Sequence, residues 1–270
     1  MSLTRFQGGS GFVKPGKPAS GDGAGISPAI WYDCPIVGMM VDPGIGILAG
    51  DDFTVVQATG FPYELSGTNG TFAATAGSPG TALLNAPALD NNEAHIAYNN
   101  DVAGLITCND SKKWWFEARV KLSRITGENG VFVGLLDEAA SADAIMGDND
   151  MILTATIDAI GFQIVEAAAS TTQQWRTMMQ LAARAAVDET AGLCTTDYVK
   201  LGMKSVPSKT TADLADVKFY IDGVPLGTAT TTAATDFPLD QVLIPHFGVK
   251  VGVGTALSLT IDWWKAAQLR

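Results

Sequence analysis

The chain has 270 residues, 47% hydrophobic and 17% charged, which excludes a disordered polymer and leaves ample apolar surface for a large core. Its formal net charge of −11 excludes a protein that wraps nucleic acid by neutralising phosphates. The three cysteines, Cys34, Cys108 and Cys194, are odd in number and lie far apart, so buried free thiols are expected rather than a disulfide framework or a metal site.

Residues 1–50 differ from the rest. Gly8-Gly-Ser-Gly11, Lys14-Pro-Gly-Lys-Pro18 and Ser20-Gly-Asp-Gly-Ala-Gly25 interrupt regular structure, yet Phe6, Phe12, Trp31, Tyr32 and Ile36-Val-Gly-Met-Met-Val41 recur among them. A linker carries no such apolar residues. An extended arm is predicted, with Phe6, Phe12, Trp31 and Tyr32 as anchors against its own domain or a neighbouring subunit. The first ten residues lack the apolar core of a signal peptide, and no run approaches the ~20 apolar residues of a membrane span, so folding in a cytoplasm is expected, with no membrane partner.

From Asp51 onward the pattern is β throughout, which predicts an all-β antiparallel sandwich over residues 51–270. The expected strands run Asp52–Gln57, Thr71–Ala76, Ala94–Tyr98, Trp114–Leu122, Val131–Leu136, Ile152–Ile157 and Gly161–Val165. They continue as Trp175–Leu181, Tyr198–Lys204, Val217–Ile221, Pro225–Thr228, Pro245–Val251 and Leu257–Trp264, separated by Gly, Asp and Asn clusters. In Trp114–Leu122, Phe116, Ala118, Val120 and Leu122 face one way and Glu117, Arg119 and Lys121 the other. Thr177–Glu189 is rich in helix formers but is expected as strand, then loop. Asp222-Gly223 joins two apolar runs, as in a two-residue hairpin whose turn positions both take positive φ. In Leu257–Trp264, Leu257, Leu259, Ile261 and Trp263 are expected on one face.

Catalytic signatures are sparse. A glycosidase on such a sandwich needs two carboxylates about 5–10 Å apart. Asp137 and Glu138 are adjacent, so a strand points them apart; Asp188-Glu189 has the same defect. Asp148 and Asp150 have the spacing but lie in a Gly-rich turn. With Asp143 they would supply oxygen ligands for Ca²⁺, although the twelve-residue loop pattern is missing and no metal is expected. His95 and His246 lack ligand spacing and are expected as ordinary strand or loop residues. Gly44-Ile-Gly46-Ile-Leu-Ala49 precedes Gly50-Asp-Asp52 rather than a helix, so no dinucleotide cofactor is implied. Trp114-Trp115 and Trp263-Trp264 each place one ring inward and one outward. The outward ring is expected beneath the arm or loops, at a subunit contact, or stacked on a glycan; Trp115 and Trp264 are the candidates for such contacts.

The hairpin Phe219-Tyr-Ile-Asp-Gly-Val-Pro225, the strand Phe116–Leu122 and the closing Leu259-Thr-Ile-Asp-Trp-Trp264 resemble the concanavalin A-like lectin/glucanase jelly roll over residues 51–270. Laminarinase-like members of that superfamily carry a Glu-x-Asp-x-x-Glu strand. The comparable strand here, Met151-Ile-Leu-Thr-Ala-Thr-Ile-Asp158, has no glutamate, so no catalytic residue carries over. The whole chain, with its Gly/Pro-rich arm before an acidic jelly roll, resembles tailed-phage virion proteins of the capsid decoration or head-fibre type. That resemblance implies a non-enzymatic structural protein on the capsid surface. Its partners would be the major capsid protein or other virion subunits, as a homo-oligomer. The alternative is a lectin-like fibre or tail component that recognises host glycans.

Overall fold

The structure is a computed structural model that describes residues 25–54, 62–75, 80–98, 105–109, 112–137, 144–148, 153–154, 156–166, 173–182, 187–207, 215–231, 236–252 and 254–270. Two short helices come first, α1 (Pro28–Trp31) and α2 (Ile36–Val41). The strands begin with β1 (Gly46–Asp51), β2 (Tyr63–Ser66), β3 (Thr71–Ala74), β4 (Ala82–Ala86), β5 (Glu93–Tyr98) and β6 (Ile106–Thr107). They go on through β7 (Trp114–Leu122), β8 (Asn129–Asp137), β9 (Ala159–Glu166), β10 (Gln174–Gln180) and β11 (Val187–Leu193). The last are β12 (Val199–Pro207), β13 (Ala215–Ile221), β14 (Val224–Thr231), β15 (Val242–Val251) and β16 (Leu257–Leu269).

These strands form two antiparallel sheets of eight. The first has the order β14-β13-β12-β7-β16-β4-β3, with β1 beside the second half of β16. The second runs β11-β10-β9-β8-β15-β5-β2, with β6 beside the start of β15. The core lies between them and is built by period-two alternation. Phe116, Ala118, Val120 and Leu122 of β7 point inward as their pattern predicts, and meet Val133, Phe162 and Phe247 from the second sheet. Phe162 meets Phe219 edge-on at 5.5 Å, and Tyr98 meets Trp264 at 4.7 Å, so aromatic pairs bridge the sheets. All three cysteines are free and buried, and burial pushes the thiols of Cys34 and Cys194 up to about 12.

The Asp222-Gly223 hairpin forms as expected. Its turn residues take φ of 51° and 76° between the paired Ile221 and Val224. The Asp222 carboxylate also accepts the Lys200 backbone N–H at 2.9 Å, which ties the turn to β12.

Several expectations need correction. The strand expected over Asp52–Gln57 lies earlier, at Gly46–Asp51. Phe53 takes φ of 51° and donates its N–H to the Asp51 carboxylate, a local turn that ends extended backbone; residues 55–57 lie outside the described residues. The region expected as an extended arm to residue 50 therefore contains two helices and a sheet strand in its described part. Nor do the described residues of 152–157 form a strand: Leu153 makes one isolated bridge to Met146 and packs on the outside of the second sheet. After the strand expected in Thr177–Glu189, Val187–Leu193 returns as β11 rather than a loop. Finally, Asp262 is an extra residue in β16, because Ile261 pairs with Val120 and Trp263 with Arg119. This bulge flips the alternation, so Trp264 rather than Trp263 joins Leu257, Leu259 and Ile261 in the core.

Candidate functional site

Both sheets carry a cover on part of their outer face. On the first sheet, register aligns Lys204 with Trp115 and Trp115 with Ala267, and sets Glu117 one row away. Residues 26–39 lie over this row, with Ile30, Trp31, Cys34 and Met39 packed against Trp115, Tyr220 and Ala267. The sequence permits this docking because α1 opens with Pro28, which needs no N–H in the first turn, and because Gly202 leaves room where Ile30 enters.

Several buried polar groups beneath this cover are paired, although Ser27 Oγ and Glu117 Oε1 have no hydrogen-bond partner among the described residues. Glu117 accepts the Ser27 backbone N–H at 2.9 Å and the Trp31 indole N–H at 2.8 Å through one oxygen. Burial raises its carboxyl pKa, opposed by those hydrogen bonds and by the Lys200 charge. The Lys204 ammonium donates to the carbonyls of Ala29 and Ile30, both at 3.0 Å, and reaches Asp33 at 3.3 Å. Burial would raise the Asp33 pKa, but the Trp115 indole N–H and Lys204 overcome it and hold the group below its ordinary value.

The top of this cover is apolar. Met39 points into the sheet, while Val37, Met40 and Val41 of α2, with Tyr32 and Ile45 beside it, are exposed. Further along the same sheet the outer face is open and polar. Arg119 pairs with Asp262 and lies 4.1 Å over the Tyr198 ring, Lys121 is 5.7 Å from that ring, and Ser258 donates to Asn85 at 2.8 Å.

On the second sheet, residues 144–148 with Leu153 and Ile157 lie over Phe132, Leu136 and Met178. Glu93, His95, His246 and Lys250 are buried among them. At the described outward positions of β5, β8, β9 and β15 Glu93 is the one carboxylate, and Lys250 holds it at 3.4 Å. Asp148 of the cover reaches the same ammonium at 2.6 Å, so the two carboxylates that do meet there share Lys250.

The predicted site residues separate into three groups. Phe6 and Phe12 lie outside the described residues. Trp31 is fully buried against its own domain, whereas Tyr32 is 63% exposed, with the Lys204 ammonium 4.4 Å from its ring. Trp115 and Trp264 are both fully buried, so neither is open to a glycan or subunit; of the three expected settings for an outward ring, Trp115 takes the one beneath the arm. Trp115 lies beneath the cover with its N–H on Asp33; the bulge turns Trp264 inward, where its N–H meets the Tyr63 hydroxyl at 2.8 Å. Asp148 is taken by Lys250 at 2.6 Å, Asp143 and Asp150 lie outside the described residues, and no metal-binding cluster occurs among those described.

Sequence spacing missed two constellations. His95 and His246, 151 positions apart, come within 3.1 Å through the pairing of β5 with β15, which no local motif encodes. The outward set on α2 did leave a signal in the apolar run Ile36–Val41, which is too continuous for one buried stripe.

No family model matches the chain, and no curated protein matches it. Solved structures do. Peanut lectin with a 9mer peptide aligns over 83% of this chain and 98% of its own, with a TM-score of 0.55 and 11% identity. A protein of unknown function from Shewanella oneidensis MR-1 aligns over 83% and 87%, with a TM-score of 0.51 and 16% identity. A glycoside hydrolase family protein from Mycobacterium thermorestibile aligns over 83% and 93%, with a TM-score of 0.47 and 15% identity. The first two likenesses establish the fold as a lectin-type jelly-roll sandwich, in agreement with the resemblance of residues 51–270. They bear on the sandwich alone and not on a virion role.

Proposed function

We propose that this chain is a non-enzymatic structural protein of a virion surface, of the capsid-decoration type, docking on capsid subunits through the apolar top of α2. One observation carries the reading. Of the ten large hydrophobic residues exposed among those described, five (Tyr32, Val37, Met40, Val41 and Ile45) fall within residues 32–45, with Met40 64% and Val41 80% exposed. Scattered exposed apolar residues are ordinary, but this concentration is the mark of a docking surface.

The patch is held from below by Trp31, Glu117, Asp33 and Lys204, so binding would order little of it. Methionine side chains adapt to an irregular partner. A chain of net charge −11 favours a partner with an apolar centre and a basic rim, and docking would then weaken with added salt.

The test is cosedimentation with capsid shells lacking the protein. Met40→Asp with Val41→Asp should weaken binding about tenfold or more and leave thermal melting unchanged. Undiminished binding by that variant overturns the reading. Deleting residues 1–30 is a poorer test, because it strips Ser27 and Ile30 from the sheet.

Carbohydrate recognition is the second reading, supported by the likeness to peanut lectin and by the open polar face around Tyr198, Arg119 and Asp262. Saturable binding on a glycan array, lost on Tyr198→Ala, together with shell binding indifferent to the α2 substitutions, would put it in first place.

A further inference from the structure

The cover on the second sheet is fastened by groups that respond to pH. Facing strands put His95 of β5 beside His246 of β15, with His95 paired to Gly248 and His246 to Ala97. His95 Nδ1 and His246 Nε2 are 3.1 Å apart, and the rings stack at 5.1 Å between centroids. A hydrogen bond between two ring nitrogens needs a lone pair on one of them, so the acceptor imidazole is neutral. The His246 ring is fully buried, Phe132 packs edge-on to it at 6.4 Å, and its Nδ1 has no partner among the described residues. Burial first, and His95 second, hold the His246 pKa well below its ordinary value.

The cover lies directly on this pair. A Cβ added at Gly248 would sit 2.9 Å from the Met146 methyl, 3.0 Å from Ile145 Cδ1 and 3.5 Å from His95 Cβ. Its ties are polar. Glu93 accepts the Ile145 N–H at 2.8 Å, and Lys250 donates to the Met146 carbonyl at 2.7 Å and to Asp148 at 2.6 Å.

We propose that residues 144–148 form an acid-released cover: protonation puts a charge into the buried His95–His246 pair and frees these residues from the outer face of the second sheet. The first proton goes to a ring nitrogen outside the shared hydrogen bond, and its charge lies on the strand face that already carries Lys250; a second proton would leave the bond no acceptor. Among the described residues the charged groups around it include Glu93 on β5, Lys250 on β15 and Asp148 on the cover; Phe132 of β8 is apolar. Glu93 turning toward the new charge would leave Lys250 and the Ile145 N–H, which unties the cover. Release uncovers Phe132, Leu136 and Met178, an apolar surface absent at neutral pH.

His246 sets the sign. A group whose folded pKa is depressed binds its proton more readily once released, so the released form gains as pH falls below about 6.5, the ordinary imidazole value. The gain is about tenfold per pH unit for His246. Glu93 works in the opposite sense. Burial raises its pKa, so its protonation does not drive release.

Hydrogen exchange of the full chain, corrected for intrinsic rates, tests this between pH 7.5 and 5. Exchange in peptides covering 144–148 should rise about tenfold or more over the acidic unit below pH 6.5, while β7 and β16 stay protected. His246→Phe should abolish that rise; should it fail to fold, His246→Gln serves instead. A flat profile in the natural chain, simultaneous loss of protection everywhere, or an acid response that survives removal of the imidazole overturns the proposal.

Discussion

On the first sheet, residues 26–39 lie over Trp115 and Tyr220 and bury Glu117 and Lys204; on the second, residues 144–148 lie over His95 and His246 and bury Glu93 and Lys250. Each cover encloses a carboxylate and an ammonium, yet they are fastened differently. The first rests on large aromatic area, with Trp31 and Trp115 fully buried and each indole N–H on a carboxylate. The second rests on smaller apolar side chains and on a buried imidazole pair, of which His246 is held well below its ordinary pKa. The first should therefore behave as part of the global fold, and the second as a separable unit whose stability depends on pH.

The strongest way to break this comparison is Trp31→Ala. It removes a fully buried ring and leaves Glu117 without its indole donor, so global stability should fall by about 3–5 kcal/mol, read from chemical denaturation. A change below about 1 kcal/mol would mean that the first cover, too, is only loosely attached.

Much of the sandwich was legible because strand alternation is local information. Trp114–Leu122 reads as a strand with Phe116, Ala118, Val120 and Leu122 inward, and so it is. The failures share a physical origin. One inserted residue, Asp262, exchanged the faces of Trp263 and Trp264, and period-two reading cannot foresee an insertion set by the neighbouring strand. Trp115 follows the alternation outward but is buried, because the face it joins is covered by a segment some eighty positions away in sequence. The histidine pair was equally invisible, since only the pairing of β5 with β15 creates it. What surrounds an outward residue depends on long-range docking; which way it points depends mostly on its neighbours.

An intermediate effect separates the covers by pH. Stability from the His246 imidazole is fully present above about pH 6.5 and is lost as pH falls toward its depressed folded value, at about 1.4 kcal/mol per pH unit. Glu117 beneath the first cover has a raised pKa, so its titration favours folding in acid and cannot produce this loss. Denaturation midpoints should therefore fall between pH 6.5 and 5.5 in the natural chain and in Glu117→Gln alike, but not in His246→Phe. A slope removed by Glu117→Gln would assign the acid response to the first cover.

The smallest effect sharpens how the first cover joins the sheet. Gly223 takes φ of 76°, where a side chain is strained, so Gly223→Ala should cost about 1 kcal/mol from backbone conformation. The added methyl would also meet the Ser27 side chain, 3.0 Å from its Oγ and 3.1 Å from its Cβ. Ser27 is the residue whose backbone N–H caps Glu117, so pressure at the hairpin passes directly to the buried carboxylate. If Ser27 can shift by a few tenths of an ångström, the loss stays near 1 kcal/mol and exchange of its amide rises modestly. A loss above about 3 kcal/mol would mean that the hairpin, Ser27 and Glu117 are one rigid unit, because strain at the turn would then have to break the cap. Either result leaves exchange at residues 144–148 unchanged at neutral pH, since the two covers lie on opposite sheets and share no side chain; coupling between them would contradict the separation argued from their packing.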